Sequence, residues 1–185
     1  MRMDQFISIA PAVERLARQA LPTLGDFAFV FLARGGTITC AAAAHITLAG
    51  EHLVRALARV YRVRRSDRDS TVAEAMRRGS AMRRTYIRSD DRPQLREGSI
   101  ADLHRRLAPR SALGVPILAG KAVLGALSLG YSDSRRAYSA VDVAPATRLA
   151  RRIARVLCPQ KPRAFMRPSR QGRGTVPRRR AVLQT

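Results

Sequence analysis

Residues 107–157 read L-A-P-R-S-A-L-G-V-P-I-L-A-G-K-A-V-L-G-A-L-S-L-G-Y-S-D-S-R-R-A-Y-S-A-V-D-V-A-P-A-T-R-L-A-R-R-I-A-R-V-L. Leu113, Val115 and Ile117 recur at every second position, and Val123, Leu127, Leu129 and Tyr131 fall on one parity. Two such runs joined by Ala119-Gly120-Lys121 predict an antiparallel hairpin. The period then changes. Ala146, Leu149, Ala150, Ile153 and Leu157 form one helical stripe, with Arg148, Arg151, Arg152 and Arg155 off it. A hairpin followed directly by an amphipathic helix indicates one antiparallel sheet with helices packed against it.

Working upstream, Val13, Leu16, Ala17, Ala20 and Leu21 predict an amphipathic helix over 11–21, stopped by Pro22. Asp26 to Ala33 is β-rich and apolar at both parities, so it reads as a central strand covered on both faces. Gly35-Gly36 signals a turn, and Thr37 to Ile46 returns as the next strand. On that strand Cys40 is expected to share a face with Ile38, Ala42 and Ala44, as a buried and inert thiol. A helix over about 50–62 carries Val54, Leu57, Ala58 and Tyr61. After a polar loop over 64–70, Ser70 or Thr71 opens a short helix that Gly79 closes. Ala81 to Ile87 reads as an edge strand, Ser89 to Glu97 as polar loop, and Ser99 to about Ala108 as a further helix. The whole is an α+β fold with five to six antiparallel strands.

The charge is uneven. The chain has 185 residues and a net charge of +22, and its Lys and Arg content is almost entirely Arg. Residues 148–185 hold twelve bases and no acid. Residues 159–185 contain four of the ten prolines and no apolar periodicity, so a domain over 1–158 followed by a disordered basic tail is expected. The longest apolar run, Phe27 to Ala33, is too short to span a bilayer, and the N-terminus lacks the order of a signal peptide. A cytoplasmic location is therefore expected.

The stretch quoted first closely resembles the second half of a bacterial GAF domain. Three pieces carry the resemblance: Arg110-Ser111 to Ile117, Gly120 to Leu129, and Tyr138 to Asp142, which corresponds to an F-x-x-x-D segment opening the closing helix. Thr71 to Gly79 is similar to the helix that precedes the pocket strand in that family. The resemblance implies a GAF/PAS-like sheet with a ligand pocket, and a sensory module of bacterial signal transduction that dimerises or acts on a signalling partner. It also implies a final helix running on into an output domain; here Cys158-Pro159 interrupts it, and no kinase, cyclase or phosphatase sequence follows. The expected roles are a module acting in trans or a truncated histidine-kinase sensor fragment. On the route of the implied pocket, Tyr86, Arg88, Arg110, Ser111 and Tyr131 are the candidate ligand-binding residues. Neither the residues nor the resemblance names a cofactor.

Departures from the family narrow the ligand. The cyclic-nucleotide subgroup carries an Asn and a Glu that this chain lacks; it has no Asn, and Val143 stands at the Glu position. Bilin-binding members need a placed Cys or pocket aromatics with His, and the free methionine sulfoxide reductases need clustered cysteines; Cys40 and Cys158 lie 118 positions apart. Gly114 to Ala122 departs from a phosphate-binding loop in spacing and in its final residue. His45, His52 and His104 lack the i, i+4 spacing of a metal pair. No catalytic residues are expected. The alternative function is a nucleic-acid-associated regulator that uses the Arg-rich last helix and tail for weak nonspecific contacts.

Overall fold

A computed structural model describes residues 3–34, 37–87 and 99–159. The first helix, α1 (Met3–Ala20), is followed by β1 (Phe27–Arg34) and β2 (Thr37–His45). Next come α2 (Leu48–Val60), the two-residue β3 (Arg62–Val63), α3 (Thr71–Arg78), β4 (Met82–Arg84) and α4 (Ser99–Leu107). The hairpin β5 (Ser111–Ala119) and β6 (Ala122–Tyr131) leads through a 3-10 turn (Ala140–Asp142) into α5 (Val143–Leu157). All six strands join one sheet in the order β3-β2-β1-β6-β5-β4, and every pairing is antiparallel.

The central position expected for the 26–33 segment is observed: β1 pairs with β2 on one side and β6 on the other. Its residues sort by parity. Ala28, Val30 and Leu32 pack under α1 and α5 with Leu113, Val115, Ile117, Leu127 and Leu129. Phe27, Phe29 and Phe31 point the other way, toward Val54 and Leu57 of α2, Val72 and Met76 of α3, and Leu107 of α4. The result is three layers: two helices, a sheet, and three helices.

Helix ends follow local chemistry. The Ser70 hydroxyl accepts the Ala73 N–H at 3.3 Å, and Gly79 ends α3 at φ +64°, where a side chain would be strained. Pro145 is the third residue of α5, a position whose N–H has no partner within the helix. Upstream of it, the Asp142 carboxylate accepts both the N–H and the hydroxyl of Ser139.

The structure revises three expectations. Cys40 does not share a face with Ala42 and Ala44. A register shift between Val30 and Phe31 places Val30 opposite Ala42 and Phe31 opposite Cys40, leaving Ala41 as an inserted residue. Ile38 and Cys40 therefore face α2, while Ala42 and Ala44 face α1. The edge strand is shorter than 81–87, because only Met82 to Arg84 pair with β5. The first helix begins at Met3, upstream of the apolar stripe that marked it. The expected Gly35-Gly36 turn, the 89–97 loop and the tail from residue 160 lie outside the described residues.

One ion network ties the two helical layers across the edge of the sheet. Glu51, in the first turn of α2, accepts Arg18 of α1 at 3.1 Å, Arg55 at 2.8 Å and the His45 backbone N–H at 2.9 Å. Burial alone would raise its pKa, but these donors outweigh it and hold the carboxyl at about 2. The His45 pKa is also lowered, but by burial itself, partly offset by Asp133, Asp26 and Glu51. Its Nδ1 accepts the Thr47 N–H at 3.0 Å, which requires that nitrogen to be unprotonated.

Leu127 is fully buried in the α1/α5 layer, so Leu127→Ala should cost about 2–5 kcal/mol in urea unfolding. A cost under about 0.5 kcal/mol would be incompatible with that placement. On acidification, the unfolded chain takes up protons at His45 before the folded chain does, so the thermal midpoint should begin to fall below the ordinary His pKa of 6.5. The Glu51 contribution is intact above the ordinary Glu pKa of 4.5 and is lost as pH drops from there toward about 2. Glu51→Gln should lower the midpoint at neutral pH and flatten its fall below pH 4.5, measured by thermal melts across the range.

Candidate functional site

A hollow arises on the α2–α4 side of the sheet because large and small residues are segregated between neighbouring strands. The three Phe side chains of β1 stand in a row, with successive ring centroids 5.8 and 5.9 Å apart, and Tyr61 continues the row 5.9 Å from Phe31. The same face of β6 presents Ala126, Ser128 and Gly130, and that of β5 presents Ala112 and Gly114. Gly114 is required there: a Cβ would lie 2.5 Å from the Thr71 carbonyl oxygen, so only glycine lets the start of α3 settle on β5. Above the remaining small residues, a cavity of about 120 Å³ is left.

The floor of the cavity is the Phe row together with Ala112 and Ser128. Its walls are Leu57 and Tyr61 behind α2, His104 and Leu107 of α4, and Ser70 to Val72 at the start of α3. Arg84, Ile87 and Asp69 close the rim. Most of this surface is apolar, and the polar groups are few. The Arg84 guanidinium lies 3.7 Å from the Asp69 carboxylate, whose side chain is 95% exposed. An ion pair this long and this wet holds Arg84 weakly, so its charge is available to an anion at the mouth. The first turn of α3 supplies a positive dipole end on the same side.

The structure distributes the five sequence-predicted residues differently. Tyr131 and Ser111 are register partners, and both are fully buried. The Tyr131 ring lies on the α1/α5 side of the sheet, stacks on Tyr138 at 4.5 Å, and carries the Arg136 guanidinium 4.7 Å from its centroid. Its hydroxyl donates to the Thr23 carbonyl at 3.4 Å. The Ser111 hydroxyl donates to the Arg84 carbonyl at 2.8 Å and accepts the Tyr138 N–H at 3.0 Å, tying β4, β5 and the segment before α5 together. Arg110 is exposed; its N–H donates to the Tyr131 carbonyl, and its own carbonyl accepts the Ile87 N–H. Tyr86 is 70% exposed, and Arg88 lies outside the described residues. None of the four described candidates lines the cavity.

The residues that do line it carried a readable signal in one case. Phe27, Phe29 and Phe31 repeat at a spacing of two, which places three aromatic rings on one face of a single strand. Arg84 and His104 carried none, since both stand among many similar residues and reach the cavity only through the folding of β4 and α4.

Neither cysteine lines the cavity. The Cys40 thiol donates to the Ala42 carbonyl at 3.2 Å, and burial pushes its pKa up to about 12. Such a thiol is almost wholly protonated at neutral pH and is a poor nucleophile. Cys158 is exposed at the end of α5. Among the described residues, no three His, Cys, Asp or Glu side chains converge as metal ligands, and no helix is long and apolar enough to cross a membrane.

Comparison with known proteins places this architecture. Solved structures with the same fold include a type II free methionine-R-sulfoxide reductase from Thermoplasma acidophilum. It is 14% identical, with a TM-score of 0.57 over 84% of this chain and 95% of that one. The GAF domain of PixJ from Thermosynechococcus elongatus, in its blue-light absorbing form, is 20% identical; the TM-score is 0.57 over 85% of this chain and 89% of that one. The second GAF domain of DevS from Mycobacterium smegmatis is 17% identical, with a TM-score of 0.53 over 78% and 90%. No curated protein matches the chain. The family model described as GAF domain matches residues 8–157, nearly the whole described chain, and with it the six-stranded sheet and the helices that cover it. The chain belongs to the GAF domain family, whose members typically serve sensory and regulatory roles in signalling proteins.

Proposed function

We propose that this protein is a sensory module of a signal-transduction system and that it binds a small ligand in the cavity beneath α2, α3 and α4. One observation carries the reading: an aromatic floor under a small cavity whose rim holds a loosely paired arginine. A ligand pocket is mostly apolar with a few polar groups that fix orientation, and this arrangement meets that description at small scale. An apolar cavity of roughly 150 Å³ accepts benzene, so a cavity of about 120 Å³ takes nothing larger than one small ring, with any substituent held at the mouth. The Arg84 guanidinium and the first turn of α3 favour an anionic substituent on that ring. The ligand class is therefore a single-ring carboxylate.

The reading is non-enzymatic. The cavity offers no thiol, and Cys40 is turned toward α2 with a raised pKa. Signal output would pass to a partner signalling protein or a second copy of the chain in the cytoplasm. Ligand contact with α3 and α4 would alter how those helices sit on the sheet, because both contribute walls.

The test uses benzoate and its neutral counterpart benzyl alcohol as probes, with binding followed by isothermal titration. Wild-type protein should bind benzoate more tightly. Arg84→Gln should weaken benzoate by about tenfold, the size expected for one charge-assisted hydrogen bond, and leave benzyl alcohol within about twofold. Phe29→Ala should weaken both. Equal binding of the two probes by wild type, or an Arg84→Gln variant that loses neither, would refute the anionic assignment. Absence of binding by either probe, together with no co-purifying small molecule in native mass spectrometry, would refute the cavity as a sensor site.

A further inference from the structure

We propose that the outer face of α5 binds the phosphate backbone of nucleic acid, independently of the cavity. Arg148, Arg151, Arg152 and Arg155 are all exposed, and their spacing of i, i+3, i+4, i+7 puts them on one stripe. The opposite stripe, Ala146, Leu149, Ala150, Ile153, Ala154 and Leu157, is buried, so the orientation of the helix is settled by packing. The four guanidiniums therefore project together from about 10 Å of helix, at 1.5 Å of rise per residue.

Among the described residues, other arginines, such as Arg59, Arg65, Arg68 and Arg83, also lack an ion-pair partner, but the four on α5 share one exposed stripe of a helix that contains no acid. Arg18 and Arg55 are paired with Glu14 and Glu51, Arg78 with Glu74, and Arg105 and Arg106 with Asp102. Among the described residues, none of the four arginines on α5 has a carboxylate within 4.0 Å. The helix itself contains no acid, and Asp142 at its start is engaged by Ser139. Holding four like charges side by side without counter-charges is unfavourable, and a polyanion relieves it. The sequence beyond the helix continues in the same sense, with eight bases and no acid over residues 159–185.

The face also discriminates between kinds of polyanion. A protein interface needs a desolvated apolar centre with aromatic or aliphatic anchors inside the charged rim. The exposed residues of α5 are Ala144 and the four arginines, which supply the charge and no anchor. A duplex backbone presents one negative charge per roughly 1.7 Å of axis, and it needs no apolar anchor to be held. No aromatic side chain stands on this face to stack on bases, so the helix reads charge and spacing, and sequence selectivity is not expected.

The test uses full-length protein and a fluorescein-labelled random-sequence duplex, with anisotropy titrations between 50 and 200 mM NaCl. Three quadruple variants are compared. The first carries Arg148→Gln, Arg151→Gln, Arg152→Gln and Arg155→Gln. The second carries Arg59→Gln, Arg65→Gln, Arg68→Gln and Arg83→Gln, which removes the same charge from exposed positions elsewhere. The third replaces the four arginines on α5 by Lys. The first variant should reduce the slope of log K against log salt by about three to four, at roughly 0.9 for each phosphate no longer neutralised. The second should reduce it by less than one, and the Lys variant should keep the wild-type slope. Equal reductions in the first two variants would mean that net charge alone is responsible and would overturn the proposal. So would an unchanged slope in the first. Displacement of the duplex by polyglutamate as readily as by unlabelled duplex would also overturn it, and would assign the face to an acidic protein surface.

Discussion

Burial of β1 on both faces is the constraint on which the rest of the molecule depends. A strand whose residues 27–32 are all buried needs a helical layer above and another below. Because side chains alternate across a strand, its two faces need not match, and here they do not. Ala28, Val30 and Leu32 allow α1 and α5 to come close and make a densely filled layer. Phe27, Phe29 and Phe31 hold the second layer off with a row of rings, beside strands whose facing residues are small. The filled layer and the hollow one are two sides of the same sequence choice.

That division explains why Ser111 and Tyr138 do not border the cavity, whereas Ala112 and Ser128, on the other face of the sheet, do. The Arg-Ser pair opening β5 and the Tyr138 to Asp142 segment do architectural work. Ser111 joins β4 to the segment before α5, and the Tyr138 hydroxyl donates to the Leu24 carbonyl at 2.7 Å from a fully buried position. Asp26 adds a third tie, its carboxylate accepting the Ser132 and Ser134 N–H groups and the Ser134 hydroxyl. Buried polar groups satisfied in this way specify one arrangement of loops at one end of the sheet. Residues engaged there are poorly placed to meet a ligand.

The two halves of the molecule also divide by charge. On the α1–α2 side, basic residues are interleaved with Glu14 and Glu51, and the resulting network links helices on opposite faces of the sheet. On α5 the bases stand without acids. The first arrangement contributes to the fold and is sensitive to acid; the second contributes nothing to packing and leaves four charges directed at solvent. A high net charge says only that polyanions are attracted. Where the acids fall decides which part of the surface can act on that attraction.

The sequence alone determined the α+β class, the antiparallel hairpin, the central position of β1, and the closing of α3 by Gly79; the choice of Ser70 over Thr71 as its opening cap came from the structure. Each of the sequence readings rests on local periodicity or on a backbone preference confined to a few neighbouring residues. It also carried the motifs by which the family is recognised. Only the tertiary structure decided which face of β1 the cavity occupies and that Cys40 turns toward α2, because one inserted residue at Ala41 reverses the parity of the strand. It likewise decided that Arg84 and His104 reach the cavity while Ser111 and Tyr131 do not. A cavity is the space left between segments distant in sequence, and its shape depends on how closely whole helices approach the sheet. Alternation along one strand shows which residues share a face; what stands opposite that face is set by the packing of the other layers.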